Sequence, residues 1–207
     1  VTLKDRLTVQ AAFNVNDLSG MVRMVMLVIR GTLICEGIGA VILSISFMNQ
    51  NMVWYKAVFY AIFHSISAFC NAGFDLIGET GFEPFSGNIL LNFVIMTLIL
   101  LGGIGFSVWR DIFLKVHYKV MPNLKKRIRL SLHSKLAIIT TLVLIVLGTS
   151  YFFVFEYQNP ETIGLLSVPN KLLASLFQSV TLRTAGFATI PQNGLQESSK
   201  LVSSIFM

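Results

Sequence analysis

Charge is what this sequence has least of. Only 13% of its 207 residues are Asp, Glu, Lys or Arg, roughly half the share a soluble globular domain carries. Apolar residues make up 54%, and the mean hydropathy is +0.72. That leaves too little polar side chain to clothe a water-exposed globule. Cysteine is scarce too: Cys35 and Cys70 both fall in apolar stretches, which excludes a disulfide framework and a thiolate metal site. The three histidines form no His-x-x-x-His pair. Glu36, His64, Asp75 and Arg183 are the groups an intramembrane enzyme would draw on, but no nucleophile and base share a helical spacing. Catalytic residues and an organic cofactor are therefore not expected.

In place of charge the chain has long apolar runs. Leu136 to Phe155 is 20 residues without a charge, about 30 Å of helix, the thickness of the hydrocarbon core. Pro84 to Trp109 is a longer uncharged run with a helix expected from Asn88, and Met24 to Met48 is a third, carrying Arg30 and Glu36. Arg30 is expected to snorkel to the cytoplasmic interface. Glu36, six positions on and on another helix face, needs a partner elsewhere.

Orientation follows from the loops. Residues 110–135 hold eight Lys or Arg against the single acid Asp111, a net charge of +7, and the positive-inside rule puts this stretch in the cytoplasm. Residues 49–87 carry Lys56 against Asp75, Glu79 and Glu83, and residues 156–200 balance three acids with three bases, so both belong outside. The run Lys125-Lys126-Arg127-Ile128-Arg129 is flanked by membrane helices and reads as a topology signal or a docking surface; no nucleic-acid partner is expected.

One phrase occurs twice. Cys70-Asn71-Ala72-Gly73-Phe74-Asp75 and Arg183-Thr184-Ala185-Gly186-Phe187-Ala188 each close an apolar stretch on the outer side, and Gly186 follows Gly73 by 113 residues. The preceding stretches are Ala57 to Phe74, 18 residues containing His64, Ser65, Ser67 and Asn71, and Leu172 to Leu182, only 11. If the first crossed the membrane, the basic stretch would be carried outside. Both are expected instead to be re-entrant, a short helix followed by extended chain, which survives at membrane depth only where protein or a water-filled cavity satisfies its backbone. The expected fold is all-α and integral to the membrane: parallel repeats of outer helix, re-entrant pore helix with filter strand, and inner helix around a central pore. Carbonyl oxygens aimed at an axis replace the hydration shell of a cation and demand backbone angles that Gly tolerates. With no carboxylate at either Gly, the pattern points to K+ held by backbone carbonyls near Gly73 and Gly186.

These strings, with His64 to Asp75, Gln178 to Phe187 and Gly102-Gly103-Ile104-Gly105-Phe106, resemble the Trk/Ktr/HKT superfamily of potassium transporters, most closely the membrane subunits of its bacterial Ktr systems. The resemblance covers nearly the whole chain. It implies four modules around one pore, of which residues 24–109 look like the second and 136–207 a truncated third, with a lead-in at 1–23 and the basic cytoplasmic loop at 110–135. The selectivity filter would comprise Cys70, Asn71, Ala72, Gly73, Thr184, Ala185, Gly186 and Phe187. It further implies K+ uptake, with Na+ assisting, by a homodimer in the bacterial cell membrane resting on a cytosolic nucleotide-binding regulatory ring, KtrA-like; Lys125, Lys126, Arg127 and Arg129 are the place such a ring could touch. The 113-residue offset places the counterpart of the Asn88–Trp109 helix at residues 201–222, so the chain is expected to be a piece of a longer repeat protein.

Arg183 is expected to tie the filter strand to a nearby carbonyl or acid, because a bare guanidinium on the axis would repel the cation. Asp75 is placed at the outer mouth, either concentrating cations or solvated as a loop acid. Gly102, Gly103 and Gly105 are read as close-packing positions, and His64 as a hydrogen-bonded helix histidine. Two other classes remain open on residues alone: the membrane subunit of an ATP-driven potassium pump, and a non-conducting membrane scaffold.

Overall fold

In the computed structural model of the chain, residues 21–78, 80–120 and 130–207 are described, with side chains from residue 25 and not for 116–120. The basic cluster Lys125, Lys126, Arg127 and Arg129 and nearly all of the lead-in lie outside the described residues. Among the described residues all regular structure is helical: α1 (Met21–Met48), α2 (Trp54–Phe69), a 3-10 turn (Glu83–Phe85), α3 (Ile89–Gly103), α4 (Phe106–Val120), α5 (Leu132–Phe155), α6 (Val168–Thr181) and α7 (Glu197–Phe206).

Length divides these helices into two kinds. Val25–Met48 and Leu132–Phe155, 24 residues each, are long and apolar enough to cross a membrane, and Ile89–Gly103 with Phe106–Lys115 passes the same test as a broken pair. Their large apolar side chains point outward: Leu33, Ile38 and Val41 on α1 and Leu142, Val146 and Leu147 on α5 are all exposed, a surface that only lipid or further protein can cover. The 16-residue α2 and 14-residue α6 reach only about 24 and 21 Å, too short to cross about 30 Å of hydrocarbon. Pro169 sits in the first turn of α6, where its missing N–H costs nothing.

The chain forms two compact units. In the first, residues 1–34 and 104–139, the lone acid of the basic stretch has a structural task. Asp111 Oδ2 accepts hydrogen bonds from Ser131 N–H at 3.2 Å and Ser134 Oγ at 2.7 Å. Ser131 Oγ in turn accepts from Ser134 N–H and Ser131 O from Lys135 N–H, so α5 begins with two of its first N–H groups satisfied and a carboxylate at its positive end. Residues 110–120 of the stretch that the sequence marks as a cytoplasmic loop are helical, in α4.

The second unit, residues 35–103 and 140–207, contains both repeated strings. Here α3 packs against α2 and α6. The sequence suggests one helix over Asn88–Trp109; the structure breaks it between Gly103 and Phe106, where Gly105 takes φ +92°. A separate apolar cluster of Phe152, Ile163, Ala174, Leu182, Ile190 and Leu195 holds the end of α5 to α6 and the chain beyond it.

Glu156 locks the loop that follows α5. It is fully buried, and its carboxylate accepts from Asn159 Nδ2 at 2.6 Å, Thr162 Oγ1 at 2.8 Å and Gln196 N–H at 3.1 Å. Gln196 caps α7, so the carboxylate also meets that helix's positive end. All of these neighbours donate, which makes the site a carboxylate cage and no place for a cation. Burial works to raise the pKa, but the adjacent Ser199 hydroxyl, Asn159, Thr162 and the Gln196 N–H outweigh it and leave Glu156 below its ordinary value of 4.5. A carboxylate with a lowered folded pKa contributes stability that is complete above its ordinary value and is lost as pH falls through the folded one. Acidification below about pH 4.5 is therefore expected to destabilise the protein, and Glu156→Gln to cost about 2–3 kcal/mol at neutral pH while flattening that acid limb, as measured by thermal unfolding across pH.

Candidate functional site

Each short helix ends where a repeated string begins. Cys70 caps α2 and Leu182 caps α6, so the carbonyl end of each helix, carrying partial negative charge, adjoins its string. The strings then follow the same backbone path. Asn71 and Gly73 take φ +51° and +70°, Thr184 and Gly186 +62° and +80°, while the intervening Ala72 and Ala185 do not enter the left-handed region. A β-branched residue there is strained by about 1–3 kcal/mol, so Thr184 is held in place by its surroundings rather than by preference.

Hydrogen bonding is similar but shifted by one residue on the helix side. Ala72 N–H donates to Ser67 O and Ala185 N–H to Thr181 O, each at 2.9 Å. At the far end, Ser67 Oγ donates to Phe74 O at 2.8 Å and Thr181 Oγ1 to Phe187 O at 2.6 Å. Between these anchors the carbonyls of Asn71, Ala72 and Gly73, and those of Thr184, Ala185 and Gly186, accept no hydrogen bond among the described residues. Two runs of three free carbonyls therefore sit beyond the negative ends of two short helices.

The strings also meet. A Cβ on Gly73 would lie 2.7 Å from Ala185 O and 2.8 Å from Gly186 Cα, and one on Gly186 would lie 3.0 Å from Gly73 Cα. Beyond them, Phe82 N–H donates to Ala188 O at 2.9 Å, and the Phe82 and Phe187 rings pack edge to face at 5.3 Å. The eight residues named from sequence thus fall in two adjacent strings of one unit. Cys70, Ala72, Thr184 and Gly186 are exposed, and Phe187 is buried.

Other named residues fare differently. Asp75 Oδ1 accepts from Ile77 N–H at 3.1 Å and Gly78 N–H at 3.4 Å, so its carboxylate caps its own turn. The expected tie from Arg183 is not formed: its guanidinium Nη1 is buried with no hydrogen-bond partner among the described residues. Glu36 is engaged through its backbone, whose carbonyl accepts from Ser65 Oγ at 2.7 Å. His64 Nδ1 pairs with Tyr60 O at 2.6 Å, and Leu76 N–H donates to Nε2 at 3.2 Å. Gly102 is a close-packing position as expected: a Cβ there would overlap the Phe69 carbonyl oxygen, at the end of α2.

A serine on each short helix fits against a glycine of the preceding long helix. Ser65 Oγ abuts Gly39 and bonds Glu36 O; Ser179 Oγ abuts Gly148 and bonds Ile145 O at 3.0 Å. In both cases a helix glycine admits a short-helix serine, which bonds the carbonyl three residues before that glycine. A Gly in an apolar run with a Ser in the next short helix is the available signal, but Gly39 and Gly148 are 109 residues apart and the serines 114. A single offset does not align them.

Apolar crossing helices and short helices ending in paired strings define an integral membrane protein. Residues 9–207 match the TrkH family, cation transport protein, and the chain belongs to that family. It is 36% identical to Ktr system potassium uptake protein B of Bacillus subtilis over 207 residues, all of this chain and 44% of that protein. It is 33% identical to the potassium/sodium uptake protein NtpJ of Enterococcus hirae, again over all of this chain and 43% of the relative. Ktr system potassium uptake protein B of Vibrio alginolyticus is 35% identical over 185 residues, 89% of this chain and 39% of the relative. The chain therefore spans less than half the length of these curated relatives.

Proposed function

We propose that the chain forms two adjacent modules of a potassium uptake pore, in which α2 and α6 are re-entrant pore helices and the strings Cys70–Gly73 and Thr184–Phe187 line the selectivity filter. The observation that carries this reading is the pair of three-carbonyl runs, each left without a hydrogen-bond donor and each with alternating backbone handedness. Alternation of that kind is what turning successive carbonyls to one side requires. The N–H groups of Ala72 and Ala185 are consumed by the helix ends, and the unbonded carbonyl oxygens suit a cation. The helix macrodipoles add negative potential at the same place. K+ is the cargo, and Na+ assists; both ions occur in the names of the relatives.

The mechanism is channel-like: binding by carbonyls replaces hydration, and no covalent step or organic cofactor enters. Arg183 supports the filter rather than lining it, since its Nη1 is buried and a guanidinium exposed on the axis would repel the cation. Asp75 fixes the strand's exit at the mouth. The basic stretch with Lys125, Lys126, Arg127 and Arg129 docks a cytosolic nucleotide-binding ring, and the membrane subunit works as a homodimer. The full-length protein in potassium-loaded liposomes is expected to pass K+ in preference to Na+. Absence of K+ flux in vesicles that demonstrably hold folded protein would defeat the proposal in favour of a scaffold.

A further inference from the structure

Among the described residues, His64 is the one buried imidazole that reaches the chain beyond both glycines. A carbonyl can only accept, so Nδ1, 2.6 Å from Tyr60 O, carries the ring proton; Leu76 N–H can only donate, so Nε2, at 3.2 Å, offers its lone pair. The ring is thereby fixed as one neutral tautomer with both nitrogens used and no exposed surface. Leu76 lies three residues past Gly73, so this bond sets where the first string leaves the filter. The same ring packs edge-on against Phe82 at 5.0 Å and lies 6.5 Å from Phe187, the residue following Gly186. Phe82 N–H holds Ala188 O, so the imidazole props the exit of the second string as well.

The imidazole itself is not duplicated. In the register of Ser65 and Ser179, 114 residues apart, His64 corresponds to Gln178, which is fully buried as well. The second string is tied by a different pair, Gln178 and Gln192, whose amides exchange hydrogen bonds of 2.9 and 3.1 Å. A single imidazole is therefore shared by the two strings.

We infer that His64 is a positioning residue for ion selection: its Nε2 lone pair fixes the exit of the Gly73 string, and its ring sets the Gly186 string against it. The inference rests on the filter reading above. Its test separates the two ring nitrogens. In His64→Gln the side-chain oxygen can occupy the Nε2 position and still accept from Leu76 N–H, whereas in His64→Asn the amide reaches only the Nδ1 position and keeps the Tyr60 bond alone. Substituting the α-hydroxy acid analogue of leucine at position 76 deletes the N–H itself and leaves the imidazole in place, which serves even if His64→Asn does not fold. Measured by flux in the full-length protein, K+/Na+ discrimination is expected to stay within about threefold of the parent in His64→Gln and to fall by at least about tenfold in His64→Asn and in the Leu76 ester. Undiminished discrimination in the ester, alongside a loss in Gly73→Ala, would overturn the role of His64 and leave the filter intact. Undiminished discrimination in Gly73→Ala as well would instead bring down the filter reading and this inference with it.

Discussion

Gly73→Ala is expected to insert and fold, yet lose most of its preference for K+ over Na+. Position 73 takes φ +70°, and a Cβ there would stand 2.7 Å from the Ala185 carbonyl oxygen and 2.8 Å from Gly186 Cα. Two costs combine: the left-handed conformation strains an L side chain by about 1–2 kcal/mol, and the added methyl group displaces one of the free carbonyls. Neither neighbour is the flexible end of a side chain, so the strings themselves must move. Gly186→Ala meets Gly73 Cα at 3.0 Å with φ +80° and no carbonyl oxygen within the same reach, so its effect should be the smaller. A fall in discrimination of at least about tenfold, or ~1.4 kcal/mol of differential binding, is expected for Gly73→Ala in competitive K+ and Na+ uptake. If both variants take up the two ions in the parent ratio, the strings pack the protein and do not select.

The two strings were legible in sequence because a short phrase repeated at one offset behind two apolar stretches of unlike length. The crossing helices were legible from uncharged runs, although α5 begins at Leu132 and α7 at Glu197, each four residues ahead of the expected start. What sequence could not show is conformational. Asn71 tolerates a left-handed backbone, but nothing in the type of Thr184 announces one, since Thr disfavours it; the angle is imposed by a hydroxyl anchor at each string's end and an N–H anchor at its middle. Nor could the uncharged run to Trp109 reveal its own interruption, because Gly102, Gly103 and Gly105 serve close packing and chain reversal equally well until the Phe69 carbonyl and the φ of Gly105 are seen.

Side-chain roles were read less well than backbone ones. Asp75 spends one carboxylate oxygen, Oδ1, on the N–H groups of Ile77 and Gly78, a turn-capping use that its place in the chain does not reveal. Glu36 is a carboxylate in an apolar helix, yet the atom engaged is its carbonyl oxygen, which receives Ser65. Both cases have one physical root: residue type reports what a side chain is able to do, while the protein here uses backbone groups that every residue shares.

Gly102→Ala tests whether helix packing sets the filter's position, and its expected effect on the fold is larger than that of either string variant. The added Cβ would overlap the Phe69 carbonyl oxygen and stand 2.8 Å from the Phe69 carbonyl carbon. Phe69 ends α2 immediately before Cys70, so α3 cannot accept the methyl group without shifting the end of the short helix and the string attached to it. Overpacking of this kind costs about 1–3 kcal/mol. The neighbouring Gly103→Ala meets only Asn71 Nδ2, at 3.2 Å, a side-chain atom that can swing away. Gly37→Ala finds nothing within 4 Å and gains helix propensity of up to about 1 kcal/mol. The ordering expected in thermal unfolding of the full-length protein is thus Gly37→Ala at or above the parent, Gly103→Ala slightly below, and Gly102→Ala well below with transport largely lost. Parent-like stability and transport in Gly102→Ala would mean that α3 does not hold the end of α2, and the free carbonyls would then need some other support to keep their place.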